Sequence, residues 1–269
     1  MIESYLARIG IERPRQADLA ALRAIHRAHL LAIPYENLDV QLGTRLTTSP
    51  SDAFEKLVRR KRGGWCYEMN GVLGWALEQL GFKVTRGAGA VMREVSGDQV
   101  IGNHLVLRVD LDECVYLADA GFGDGPIEPF AIAERSFSDG RFEFALSDIG
   151  NGWWRLHNHP LGAAKSFDFT LQRGSEDQLA RLCDFLQTAP VSPFVQNLVC
   201  QRHTTDGLVV LRGKVLRRIT PVETKERVLE SADELVSVLE STFGLHVPEA
   251  VTLWPKIQER HAAVFGDRG

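Results

Sequence analysis

The sequence predicts an α+β fold, on three observations. Apolar residues recur at helical spacing through the first third, the pattern changes to strand-like alternation from about Lys83, and a hairpin mixes with helices beyond residue 190. In chain order, residues 17–31 read as an amphipathic helix. Residues 51–61 read as a second, with Ser49 as its cap, Pro50 at the first position, Asp52 in the capping-box place and Arg59, Arg60 and Lys61 at its negative end. A third covers 66–80, its apolar face set by Met69, Leu73, Ala76, Leu77 and Leu80 and its stop by Gly81. Strands are predicted at 84–92, 104–109, 114–118, 153–157 and 167–171, separated by Gly, Asp, Asn and Pro turns. A helix follows at 176–187. The last part holds a hairpin, 208–211 with 215–219 turning at Arg212-Gly213-Lys214, and helices near 225–240 and 248–263. These stretches divide the chain into a helical region, 1–82, a β region, 83–190, and an α/β tail, 191–269.

Hydrophobic residues make up 44% of the 269-residue chain and charged residues 25%, the balance of a soluble globular protein with a substantial core in one or two domains. A net charge of −4 argues against nucleic acid as the main partner. Residues 1–15 mix charged and apolar types, so no secretory signal is expected, and no stretch approaches the roughly 18 apolar residues that cross a bilayer. The cysteines, at 66, 114, 183 and 200, have neither metal-ligand spacing nor the density of a disulfide scaffold. A reducing cytoplasm and no bound metal are expected. Cys114, Cys183 and Cys200 lie among apolar neighbours and read as packing residues.

Cys66 stands apart. It follows Arg62-Gly63-Gly64-Trp65 and opens the third helix, where unpaired N–H groups and the positive end of the helix dipole favour thiolate over thiol. A thiol that merely packs is the alternative, but it needs neither a diglycine that lets backbone approach closely nor a cation beside it. Arg62 is expected to turn inward and brace this loop. Glu36 and Asn70, polar residues beside apolar runs, are expected to be buried, hydrogen-bonded supports rather than catalysts.

Partners for the thiol come from strand arithmetic. If 110–113 is the turn between the strands 104–109 and 114–119, Val109 lies opposite Cys114, and the same antiparallel register puts His104 opposite Asp119. The carboxylate would then hold the imidazole in one tautomer, and Cys66, His104 and Asp119 would form a Cys-His-Asp triad. A strand-end histidine and a turn aspartate are the separate alternatives. The other histidines read as structural or solvated. Gly121-Phe122-Gly123-Asp124-Gly125 follows as a strand-end turn or a weak anion nest, with Asp124 set against phosphate.

These segments closely resemble the arylamine N-acetyltransferases. The resemblance is carried by Arg62-Gly63-Gly64-Trp65-Cys66-Tyr67-Glu68-Met69-Asn70-Gly71, the His104 strand, Leu117-Ala118-Asp119-Ala120-Gly121-Phe122-Gly123 and Ile33-Pro34-Tyr35-Glu36-Asn37-Leu38-Asp39, with Tyr5 to Ile9 and Ser192-Pro193-Phe194 adding to it. It implies an N-terminal helical bundle (1–82) carrying the nucleophile, a central antiparallel β-barrel (83–190) carrying His and Asp, a C-terminal α/β lid (191–269) and a papain-like Cys-His-Asp site where bundle and barrel meet. It also implies acetyl-CoA as donor and co-substrate, an acetyl thioester on Cys66, and a small arylamine, arylhydrazine or arylhydroxylamine as acceptor, the chemistry of xenobiotic metabolism. By the same resemblance Tyr35, Trp65, Phe122 and Phe194 line the acceptor pocket, and Gly123 and Gly125 edge the coenzyme A site. Competing readings are an amide synthase acting on a carrier-bound polyketide, a papain-like or transglutaminase-like hydrolase that needs no coenzyme A, and a non-catalytic binding module with a thiol of ordinary reactivity.

Overall fold

Asp18 starts the first long helix by accepting the Ala21 N–H at 2.8 Å, and the helix Leu19–Ala32 stops at Ile33, whose extended backbone is what the following Pro34 requires. The computed structural model describes residues 1–112 and 114–266. Ser49 and Pro50 open the second predicted helix as expected, but only Pro50–Phe54 is α-helical. Glu55–Arg59 widens into a π-helical turn, a distortion frequent at functional sites. The third helix, Cys66–Gln79, is buried on almost every side, from Cys66 through Gly74 and again at Ala76 and Leu77. It is the axis of the main core, against which Leu22, Ile25, Leu57, Leu107 and Val109 pack with 6% exposure or less. Each such side chain contributes about 1.5–3 kcal/mol by leaving water.

The β region is one antiparallel sheet in the order Phe130–Ala131, Cys114–Leu117, His104–Leu111, Lys83–Val91, Ser166–Thr170, Trp153–His157, Glu143–Asp148 and Arg135–Ser138. It curls as a half-barrel instead of closing. Its edge strands are close in sequence and bring Phe130 and Phe137 to 5.1 Å between ring centroids, yet among the described residues no ladder joins them. The strands at 130–131, 135–138 and 143–148 were not expected.

The predicted hairpin register is displaced by two residues. Leu111 opposes Cys114 and Arg108 opposes Leu117, so Asp110 and Leu111 belong to the strand; Glu113, the last residue of the expected turn, lies outside the described residues. A shift of two keeps every side chain on its face, whereas a shift of one would have reversed them. His104 and Asp119 still meet. Cys114, opening its strand, is exposed and not a packing residue, while Cys183 and Cys200 are buried.

The second sheet runs Tyr35–Glu36, Val199–Thr204, Gly207–Arg212, Val215–Ile219 and Thr224–Val228. Its first strand comes from the N-terminal third: Tyr35 pairs with Gln201 and Glu36 with Cys200. Its last strand corrects the expected helix at 225–240, because pairing with Val215–Ile219 overrides the helix propensity of Lys225, Glu226 and Arg227, and the helix begins only at Ala232. Helices Ala232–Phe243 and Trp254–Phe265 cover this sheet through Leu235, Leu239, Trp254 and Ile257. Among the described residues no helix is long and apolar enough to cross a membrane.

Candidate active site

The diglycine is a close-packing device rather than a flexible one. A Cβ on Gly63 would stand 2.3 Å from the Pro34 carbonyl oxygen and 2.7 Å from Glu36 Cγ, and one on Gly64 would stand 2.8 Å from Glu68 Cβ. The backbone therefore lies flat between Pro34 and the helix it feeds, with Gly64 N–H donating to the Pro34 carbonyl and Glu36 N–H to the Gly64 carbonyl. Trp65 precedes the helix, wholly buried, with edge-on contacts to Tyr67 at 5.3 Å and Phe194 at 5.4 Å.

Cys66 occupies the first helical position and is 3% exposed. Its environment does not make a standing thiolate, contrary to the sequence expectation. Burial pushes the thiol well up, with Cys183 and the Asp119 carboxylate adding to the effect, and the backbone N–H groups of Leu105 and Tyr67 offset only part of it. The thiol donates to the Asn103 carbonyl at 3.8 Å rather than to an imidazole. Ionising it requires a base.

An imidazole stands one residue further on. His104 opens its strand with 1% exposure, and its Nε2 lies 2.7 Å from Asp119 Oδ2. Asp119 sits just past the neighbouring strand, where its other oxygen accepts from Asn70 Nδ2 at 2.7 Å and from the Gly121 N–H at 2.8 Å. Burial alone would raise this carboxyl, but the imidazole and these two donors outweigh it and hold it below the usual range. An ionised Asp119 fixes His104 with the proton on Nε2, and among the described residues no hydrogen bond closes on Nδ1. Asn70, on the Cys66 helix, ties the parts together: it donates to the Leu105 carbonyl at 2.6 Å and accepts the Ala120 N–H at 2.8 Å. A glycine completes the contact, since a Cβ on Gly121 would lie 2.8 Å from Cys66 Cα.

Of the other expected residues, Phe122 is half-buried and meets the His104 ring at 5.9 Å and Phe167 at 4.8 Å, whereas Phe194 joins Trp65 on a separate aromatic wall. Tyr35 bridges to Gly64 and pairs with Gln201. Gly123, at φ +85°, packs on Gln201 and Tyr35, and Gly125 packs on the Phe122 ring. The Gly121 N–H is committed to Asp119, and the Asp124 carboxylate, which the sequence reading set against phosphate, turns inward to accept from Asn158 and Ala163. Burial raises the Asp124 carboxyl to about 6.

Beneath the diglycine lies a charged cluster that sequence reasoning found only in part. Arg62 turns inward as expected, 3.0 Å from Glu36 and 2.9 Å from Asp39. Lys56, on the π-helical turn and 1% exposed, was not expected; its Nζ lies 2.9 Å from Glu68, 3.0 Å from Asp39 and 3.9 Å from Glu36. Burial would lower the ammonium's pKa, but the three carboxylates outweigh it and raise it. Glu68 is lifted to about 7 by burial, against the pull of Lys56. Its carboxylate also accepts the Trp65 N–H at 3.3 Å, the N3 capping contact that its position in the helix could have signalled.

A cleft of about 320 Å³ opens between the two sheets' loops and the last helix, lined by Asp124, Gln201, Arg212, Lys214, Arg217 and Arg260 among others. Among the described residues no group of three or more His, Cys, Asp and Glu side chains is arranged to hold a metal ion.

The sequence model of a family described as N-acetyltransferase matches residues 18–252. The chain is similar to the arylamine N-acetyltransferase liver isozyme of Gallus gallus, 31% identical over 262 residues, covering 87% of this chain and 88% of the other. Its fold is similar to that of the arylamine N-acetyltransferase of M. smegmatis, with 32% identity, a TM-score of 0.87 and coverage of 96% and 98%. It is equally similar in fold to the Mycobacterium marinum enzyme solved in complex with CoA, with 29% identity, a TM-score of 0.87 and coverage of 96% and 99%.

Proposed function

The chain belongs to the arylamine N-acetyltransferase family and is an acyltransferase, and from that premise we propose that it carries an acetyl group from acetyl-CoA to the nitrogen of a small arylamine, arylhydrazine or arylhydroxylamine through a thioester on Cys66. The single observation that carries the reading is the buried 2.7 Å contact between His104 and Asp119 beside the helix that begins at Cys66. In this reading His104 Nδ1 takes the thiol proton as the sulfur attacks the thioester carbonyl, and Asp119 stabilises the imidazolium. Coenzyme A leaves with that proton. Donor and intermediate are both thioesters, so the step is close to thermoneutral and the enzyme must supply mainly a base and alignment. The amine then attacks the acetyl-Cys66 carbonyl, His104 accepts its proton, and the thiol is restored.

The division of labour proposed is a nucleophile on 1–82, base and orienter on 83–190, and a covering unit at 191–269. Arg212, Lys214, Arg217 and Arg260 in the cleft suit the phosphates of coenzyme A, while Trp65, Phe122, Phe194 and Tyr35 offer aromatic surface to the acceptor. The test is intact mass and peptide mapping after mixing with acetyl-CoA. One acetyl group on Cys66, none in Cys66→Ala, and parallel double-reciprocal plots against an arylamine are expected. Stoichiometric label on Cys114, Cys183 or Cys200 would sink the Cys66 assignment, and intersecting lines would replace the covalent route with direct transfer in a ternary complex.

A further inference from the structure

Three buried histidines outside the chemistry above converge on the loop 119–127. His26, on the Leu19–Ala32 helix, places Nδ1 2.9 Å from the Ile127 carbonyl oxygen. His159, stacked on Phe142 at 4.1 Å, places Nε2 3.1 Å from the Asp124 carbonyl oxygen. His203, on the Val199–Thr204 strand, has Nδ1 3.1 Å from an Arg141 guanidinium nitrogen. A guanidinium only donates, so this Nδ1 is an acceptor and the ring proton sits on Nε2. Among the described residues that N–H closes no hydrogen bond, with the Gly123 backbone nearby. Burial lowers all three pKa values, His203 to about 3, so each ring is a neutral donor of fixed tautomer.

The loop needs handles of this kind. Gly121 is pressed on Cys66, Phe122 is spent on His104, Gly123 and Gly125 have no side chains, and the Asp124 carboxylate and the Ile127 N–H are held from one side by Asn158, Ala163 and Asp139, so the main-chain carbonyls supply the further grips. The two hydrogen bonds come from distant parts of the chain, the Leu19–Ala32 helix and the segment after the Trp153–His157 strand. We propose that His26 and His159 are positioning residues for acyl transfer, acting through the carbonyls of Ile127 and Asp124 to hold Asp119 on His104 and Gly121 on Cys66. The inference rests on the acyl-transfer reading above.

Two measurements test it on the full chain. In isotope-labelled histidine NMR at neutral pH, His26 should be the Nδ1–H tautomer and His159 and His203 the Nε2–H tautomer; a charged ring or an inverted tautomer at His26 or His159 overturns the proposal, whatever any variant does. The second compares His26→Leu with His26→Asn, whose amide N–H can occupy the place of Nδ1, and His159→Leu with His159→Gln, whose amide reaches the place of Nε2. Each Leu variant should slow Cys66 alkylation by iodoacetamide about tenfold per folded molecule, and each amide variant should recover most of that rate. Equal loss in leucine and amide variants, or loss that only follows the unfolded fraction, overturns it. Alkylation uses no acetyl-CoA, so a parent protein that alkylates normally but takes no acetyl group defeats the proposed reaction and leaves this comparison standing.

Discussion

Two buried polar clusters share the Cys66–Gln79 helix, one through Glu68 and the other through Asn70. The first sets three carboxylates, Glu36, Asp39 and Glu68, against Lys56 and Arg62, and each charge is occupied by another. The second has a single carboxylate, Asp119, held by neutral donors and by one titratable ring. Charges paired this densely resist the loss of a member, because removing a cation strands its carboxylates in low dielectric. A lone carboxylate balanced through an imidazole is different, since the proton on that ring can move and the carboxylate stabilises the result. In the proposed reaction the two clusters thus divide the labour of holding Cys66 and activating it.

The largest expected effect tests the second cluster. Asp119→Asn should lower kcat/KM for acetyl transfer on the order of 10³- to 10⁴-fold while moving the thermal midpoint by only a few degrees. A loss below about tenfold would erase the distinction between the clusters. Lys56→Met should do the reverse, costing about 3–5 kcal/mol of stability in denaturant titrations with turnover per folded molecule nearly kept. Adding Glu68→Gln should restore part of that stability, and a Lys56→Met protein that is stable but inactive would assign the cluster to catalysis. The smallest effect is in pH. Because the folded pKa of Glu68, about 7, exceeds its ordinary 4.5, the folded state holds that proton more tightly; the stabilisation is full below about pH 4.5 and is lost as pH rises to about 7. Melting curves across this window should fall by a few degrees in the parent and less in Glu68→Gln.

The same contrast explains what the sequence made legible. Cys66, His104, Asp119 and Asn70 could be found because each is tied to a local signal, a helix start, a strand end or a polar break in an apolar run. Lys56 could not, since a lysine on a helical stretch is ordinarily solvated and only the convergence of Glu36, Asp39 and Glu68 buries it. Face survived in the 104–119 hairpin although register did not, because a two-residue error preserves parity. Thr224–Val228 was illegible for the opposite reason: it is exposed along its length and rich in helix-favouring charge, and it is a strand only because a neighbour pairs with it. The thiol's ionisation was misread because helix position is local and burial is not.

The two-residue strand Tyr35–Glu36 has a consequence in time. Its partner is Val199–Thr204, and Asn37 beside it bonds the Asn197 carbonyl 160 positions later. At translation rates of about 5–20 residues per second, the segment bedding the diglycine waits on the order of 10–30 s for its partner to be synthesised. The helix bearing Cys66 can form early from local signals, but the sheet edge beside its entry loop cannot. A nascent chain therefore carries Cys66, the proposed nucleophile, long before the surroundings of that thiol are complete, and assembly of the proposed reactive centre is among the last events in the making of the protein.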